Sequence, residues 1–238
     1  MTYRRPHHQA IEVVLSHFDP VFLRDNNILF GGGTRIALEL DEFRESVDID
    51  LFCVGKAAYR AARMAVTNSS LGPLLREGHR LVPWGNREIR TDRDAIRTFL
   101  EGAERPIKLE ILNFANERLQ PDSRQDLFPV PCISRESCFA TKLTANADRF
   151  HNHIKDILDL CMMRREWGSI PGEAWDMACE EYGERTIATA LDSALRDLVS
   201  RYQAHLVHAV ESLHISPDLA VELMTVVAPA WRQELARA

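Results

Sequence analysis

The stretch that most constrains this chain runs Phe30-Gly31-Gly32-Gly33-Thr34, crosses an apolar segment, and resumes as Arg44-Glu45-Ser46-Val47-Asp48-Ile49-Asp50-Leu51-Phe52. It reads as a glycine turn, a short helix and a strand, in that order. Side chains at i and i+2 of a strand share a face, so Asp48 and Asp50 point together while Val47, Ile49 and Leu51 turn into apolar packing. Two like charges side by side repel, and a bound cation relieves them. Oxygen ligands at this spacing suit Mg²⁺, which keeps several waters and takes one or two carboxylates plus substrate phosphates; Mn²⁺ accepts the same donors. The backbone N–H groups of Gly32 and Gly33, placed just ahead of a helix, suit phosphate. Taken singly, an Asp-x-Asp is more often a solvated strand face and a glycine triplet more often a plain turn. Their ordered combination points to a metal–nucleotide site.

A second strand is expected over residues 107–114, where Ile107, Leu109 and Ile111 alternate with Lys108, Glu110 and Leu112. Glu110 joins Asp48 and Asp50 if the two strands are neighbours. Around them the pattern predicts an opening helix over 6–19, a strand over 27–30, helices over 34–40 and 56–66, and strand pieces near 81–83 and 88–91. Residues 92–100 read as a helix with Asp92 as its N-cap. Beyond a loop at 120–123 the chain turns helical. A helix runs from Ser134 to about Asn152, with Lys142, Asn146 and Arg149 on one stripe at i, i+4 and i+7. The next spans 154–167 and places Asp156 and Asp159 at i and i+3. Pro171, Gly183, Pro217 and Pro229 punctuate the rest. The fold class expected is α/β (α+β), a mixed-sheet core over residues 1–133 followed by a helical C-terminal domain over 134–238.

Charge and cysteine usage narrow the function. With 29 Lys and Arg against 35 Asp and Glu, the net charge is −6, which argues against a protein gripping nucleic acid over its whole surface. Local basic pairs stand at Arg60/Arg63, Arg87/Arg90 and Arg164/Arg165, each by itself read as a solvated face. The nine histidines show no HExxH spacing, and His151 and His153 read as surface residues. No apolar run approaches the ~20 residues that span a bilayer. Met1-Thr2-Tyr3-Arg4-Arg5 leads into no apolar segment of the signal-peptide kind. Five cysteines without a CxxC spacing read as reduced thiols, and the expected location is the cytoplasm.

At these residues the chain resembles the nucleotidyltransferase toxins of the AbiEii/AbiGii class, part of the DNA polymerase β-like superfamily that also holds the MenT toxins. Gly32, Gly33, Thr34, Arg44, Ser46, Asp48 and Asp50 carry the first block of the resemblance, and Lys108-Leu109-Glu110 matches the later strand. Lys142, Ala145, Arg149, Lys155, Asp156, Asp159 and Leu160 follow the family's Lys…Ala…Arg…Lys/Arg-Asp-x-x-Asp-Leu signature. The match covers about residues 28 to 160, tight in its first block and looser afterwards. Asn113 departs from it, standing where some members carry a second lysine.

The resemblance implies a polymerase β-like core and Mg²⁺-dependent transfer of NMP from an NTP to RNA, notably the tRNA 3′ end. It also implies toxin biology opposed by a partner antitoxin. Carried over residue by residue, Asp48, Asp50 and Glu110 hold the metal, and Glu110 also accepts the acceptor's proton. Gly32, Gly33 and Thr34 hold the β- and γ-phosphates, with Ser46, Lys108, Arg149 and Asp156 in the nucleotide-binding set. Lys142 is the catalytic cation at the departing pyrophosphate, against a plain reading as an exposed or cleft-facing helix lysine that carries little packing. Asp156 is equally read as a structural ion pair with Arg149 or Lys155. Two other classes stay open: a nucleotidyltransferase acting on a small molecule of the aminoglycoside kind, and a nucleotide-binding module without turnover. The second would keep the glycines and lose a carboxylate, whereas all three carboxylates are present.

Overall fold

A computed structural model describes residues 3–237 except Ala103, Ala115, Gln125 and Asn152, and omits the Asn86 side chain. The chain divides into two compact units. One comprises Met1–Glu39 and Ser46–Ser134, the other Leu40–Glu45 and Arg135–Ala238.

In the first unit, α1 (Pro6–His17) is followed by α2 (Pro20–Asp25), β1 (Ile28–Gly31), α3 (Gly32–Glu39), β2 (Asp48–Val54) and α4 (Lys56–Ala65). Then come β3 (Arg90–Thr91), β4 (Ala95–Leu100) and β5 (Ile107–Phe114). Asp19-Pro20, which reads as the stop of the opening helix, also starts the next one. The Asp19 carboxylate accepts from the Val21 and Phe22 N–H groups at 2.8 and 3.2 Å, and Pro20 occupies a first-turn position where no N–H is needed.

The strands form a mixed sheet in the order β1-β2-β5-β4-β3, with β2 and β5 parallel and the other pairs antiparallel. One face is apolar. Ile49, Leu51, Ile96, Leu100, Ile107, Leu109 and Ile111 pack there with Ile11, Val14 and Leu15 of α1 and Ala58, Tyr59 and Ala62 of α4. Each such fully buried aliphatic side chain contributes about 1.5–3 kcal/mol, so this layer fixes the register of the central strands. The polar residues between them therefore emerge on the other face.

Two local expectations are corrected. Residues 92–100 form a turn and the strand β4, not a helix: Asp92 accepts the N–H groups of Asp94 and Ala95 at 2.7 and 2.9 Å. This tight turn launches β4 beside β5. Residues 81–83 contribute only an isolated bridge, Pro83 to Leu100, because the chain turns at Trp84–Asn86.

The second unit is helical: α5 (Arg135–Arg149), α6 (Lys155–Trp167), α7 (Gly172–Tyr182), α8 (Glu184–Ser200), α9 (Tyr202–Glu211), α10 (Pro217–Glu222) and α11 (Ala228–Leu235). A π-helical turn, Leu223–Val227, joins the last two. Helix α5 packs on α6, α7 and α8. The sequence places its end at about Asn152, which lies outside the described residues; the helix itself stops at Arg149. All five cysteines are free thiols, and burial pushes Cys53 up to about 12. Among the described residues no helix is long and apolar enough to cross a membrane.

Candidate active site

Strand β1 ends at Gly31 and α3 begins at Gly32, whose φ is 70°. That left-handed backbone favours glycine, and space demands glycine as well. A Cβ on Gly32 would stand 1.9 Å from Asp50 Oδ2. The Asp50 carboxylate is thus seated directly against the turn.

Cross-strand register then lines up a row of functional groups. Gly31 is the partner of Asp50, Asp50 of Glu110, Glu110 of Arg97 and Arg97 of Arg90. Two residue pairs along, Asp48 is opposite Lys108. Asp48 and Asp50 are half-buried while Ile49 and Leu51 between and beyond them are buried completely, so both carboxylates emerge on the face away from the apolar layer.

The segment leading into β2 is held from beneath. The Thr34 hydroxyl donates to the Asp48 carbonyl, and the Thr34 and Ser46 hydroxyls lie 2.8 Å apart. With the single Thr34 proton spent on the carbonyl, Ser46 is the donor between them. The Ser46 N–H donates to His8 Nε2 at 3.0 Å, which leaves that imidazole neutral with its proton on Nδ1. His7 Nε2 donates to the Val47 carbonyl at 3.2 Å. The sequence assigns Thr34 and Ser46 to the phosphates. The structure places both side chains in the interior, 1% and 3% exposed, where they fix the strand carrying Asp48 and Asp50.

Glu110 is tied to two cations. Arg97 Nε donates to Oε1 at 2.9 Å and Lys108 Nζ to Oε2 at 2.5 Å. Burial pushes the Glu110 carboxyl up, but the hydrogen bonds and charges of Lys108 and Arg97 outweigh it and hold the group below its usual range. Both Glu110 oxygens already accept from a cation, so in this arrangement the group is engaged and not open as the expected proton acceptor. Nor are the three carboxylates a ready-made trio: among the described residues no three Asp, Glu, His or Cys side chains are grouped to hold a metal. What does fit a divalent ion is the pair Asp48 and Asp50, two oxygen donors on one open strand face beside the Gly32 turn. Mg²⁺ requires no more protein than this when phosphates and water complete its shell.

Beyond Glu110 the same face opens into a cleft of about 510 Å³ bordered by Arg87, Glu88, Arg90, Arg97, Phe99 and Lys108. Arg87 lies over the rings of both Trp84 and Phe99, 5.1 and 4.8 Å from their centroids. The sequence does not single out Arg97, because residues 92–100 read as helical. Read as a strand, the alternation of buried Ile96, Thr98 and Leu100 with half-buried Arg97 and Phe99 shows it facing the site.

The other assigned residues lie within the helical unit. Lys142 Nζ reaches Asp156 Oδ1 at 2.7 Å and Asp159 Oδ2 at 2.6 Å. Arg44 grips Asp159 through Nε and Nη2, at 2.5 and 2.9 Å. Arg149 grips Asp156 through Nε and Nη2, at 2.6 and 3.0 Å. Arg44, Asp156 and Asp159 have no exposure, and Lys142 retains 5%. Burial opposes the charges of Lys142, Asp156 and Asp159. It is outweighed at Lys142 by Asp159 and Asp156, which hold the ammonium above its ordinary range. It is likewise outweighed at Asp159 by Arg44 and Lys142, and at Asp156 by Lys142 and Arg149, so both carboxyls sit below theirs. The expectation of an exposed or cleft-facing Lys142 is corrected: its charge is consumed inside a cluster that ties α5, α6 and the Leu40–Glu45 segment together. Asp156 pairs with Arg149, one of the two structural partners read from the sequence, and with Lys142.

Solved structures share this fold. The chain is similar to an H. pylori protein described provisionally as a nucleotidyltransferase, with a TM-score of 0.56 and 18% identity over 97% of this chain and 95% of that one. It is similar also to JHP933 from Helicobacter pylori, with a TM-score of 0.53 and 18% identity over 97% and 92% of the two chains. At such identity these likenesses concern the fold. Among curated proteins none matches. The family model for the AbiEii nucleotidyl transferase toxin of Type IV toxin–antitoxin systems matches residues 14–236. The chain belongs to that family and is a nucleotidyltransferase.

Proposed function

We propose that the chain transfers a nucleoside monophosphate from an NTP to RNA, with the tRNA 3′ end as acceptor. On this reading it acts with Mg²⁺ or Mn²⁺ as a toxin opposed by a cognate antitoxin. The observation that carries the reading is the register of β1, β2 and β5, which sets the Gly31–Gly32 turn, Asp48, Asp50 and Glu110 side by side on one open face. Family membership supplies the toxin–antitoxin setting.

Asp48 and Asp50 would hold the divalent ion, which when bound neutralises triphosphate charge and favours ionisation of the attacking hydroxyl. Phosphoryl transfer asks little covalent chemistry of a protein; positioning and charge do most of the work. The N–H groups at Gly32 and Gly33 would orient the phosphates, with the αP–O bond to the acceptor forming as the bond to pyrophosphate breaks and the hydroxyl's proton passing to water. Glu110 keeps Lys108 and Arg97 at the edge of the site. Their charges, with Arg90, favour the phosphates of substrate or acceptor in the adjoining cleft.

The test is incubation of the purified chain with Mg²⁺, each α-labelled NTP and total RNA, resolved on a denaturing gel. Label is expected in the tRNA band for one or more nucleotides. Label that enters only small molecules such as aminoglycosides would overturn the RNA assignment while leaving the transfer chemistry standing.

A further inference from the structure

A second cationic site lies on the far side of the same sheet. Helix α4 buries Ala58, Tyr59 and Ala62 against the apolar layer that contains Ile49 and Leu51, so it covers the face opposite Asp48 and Asp50. Its outer side presents Lys56, Arg60 and Arg63 at i, i+4 and i+7. Together with Arg93 from the β3–β4 turn they border a groove of about 490 Å³ whose lining contains no carboxylate. Asn113 of β5 anchors the turn by donating from Nδ2 to the Arg93 carbonyl at 3.2 Å.

Several surface arginines elsewhere in the chain have acidic partners, as in Arg165–Glu222 and Arg196–Asp192. Among the described residues none of the four groove cations is in an ion pair. Four unneutralised cations converging in a chain of net charge −6 repel one another unless an anion joins them.

We infer that this groove binds the phosphate backbone of a single-stranded RNA segment. Three of the four cations are arginines, whose planar fork matches phosphate and stacks on bases. From Lys56 to Arg63 the helix advances about 10 Å, so the cations are strung along a line that a run of backbone phosphates can follow. A protein partner would need an apolar centre, whereas the apolar lining here is limited to Tyr59, which is buried, and Met64. Because groove and carboxylates lie on opposite faces, a ligand that reaches both is macromolecular. The biological sense of the groove rests on the reading of RNA as acceptor; the binding itself does not.

The experiment is fluorescence anisotropy of a labelled single-stranded RNA with the full chain across a salt series. Arg60→Gln/Arg63→Gln should weaken binding by about tenfold or more and flatten the slope of log K against log salt by about 1.4, at ~0.7 per phosphate contact. Arg60→Lys/Arg63→Lys should keep the slope, and Asp50→Asn should bind as the wild type does, since the groove works without the catalytic face. Unaltered affinity in the double Gln variant, with folding confirmed by circular dichroism, overturns the site. So does competition by polyglutamate as effective as by unlabelled RNA, which would mark an acidic protein as the ligand. RNA binding lost in Asp50→Asn overturns it too, by locating the RNA on the carboxylate face; loss of transfer alone bears only on the catalytic reading.

Discussion

Asp50 and Glu110 are register partners on parallel strands, yet their carboxylates are handled differently: Asp50 sits against the Gly32 turn, while Glu110 is held by Arg97 and Lys108. Glu110 therefore serves its two cations, while Asp50 is placed by the turn. Asp48 and Asp50 share the open face of β2 beside the Gly32 turn, which makes that pair the place for a cation.

Metal binding follows directly. Titration of Mn²⁺ into the wild type should show saturable binding by calorimetry or electron paramagnetic resonance. Asp48→Asn and Asp50→Asn should each weaken it by at least about tenfold, ~1.4 kcal/mol, whereas Glu110→Gln should have a smaller effect. Equal losses in all three variants would mean that Glu110 leaves its cations and joins the metal shell.

The turn can be tested with a built-in control. Gly32 and Gly78 both have positive φ, 70° and 76°, but a Cβ on Gly78 would meet nothing within 4 Å. Gly78→Ala should cost only the left-handed penalty of about 1–2 kcal/mol. Gly32→Ala should cost more in chemical denaturation and also abolish transfer, because it displaces the Asp50 carboxylate. Equal costs with activity retained would reduce Gly32 to a plain turn residue.

The sequence displays the catalytic strands because each has one buried and one open face, and such strands alternate visibly at Ile49/Asp50 and Leu109/Glu110. It hides β4 because Asp92 capping two following N–H groups is the local chemistry of a helix start as well as of a turn. Thr98, a polar residue on the buried face, also blurs the period of two. Asp19-Pro20 was ambiguous in the same way, ending one helix while capping another. The Lys142 cluster was least legible. A lysine, an aspartate one helix further on and Arg44 far upstream meet only through tertiary packing, so local spacing showed a stripe and gave no burial.

That cluster carries stability. Removing one partner of a buried ion pair costs about 3–5 kcal/mol, so Asp159→Asn and Lys142→Ala should each lower the urea midpoint substantially. The readout is tryptophan fluorescence, which Trp167, Trp175 and Trp231 of the helical unit dominate. The larger question for Lys142 is activity per folded molecule at low temperature. Retention there assigns it to structure, and a loss of about tenfold beyond the folding defect restores the catalytic role.

Acid sensitivity has a definite sign. Asp156 and Asp159 have lowered folded pKa values, so their contribution is complete above the unfolded carboxylate range near ~3.9 and disappears as pH falls through the folded values. Unfolding midpoints of the helical unit should therefore hold from neutrality to about pH 4 and fall below it. The fall should be shallower in Asp159→Asn. A midpoint already falling between pH 7 and 5 would point to another group.

The measurement that bears most directly on the whole account is pyrophosphate release coupled to label transfer onto tRNA, with Mg²⁺ present, in wild type, Asp48→Asn and Asp50→Asn at matched folded fractions. The prediction is a loss of at least about a hundredfold in each variant, ~2.7 kcal/mol of transition-state stabilisation, with melting temperature preserved. Transfer at the wild-type rate in either variant would contradict the placement of the catalytic centre on the open face of β2.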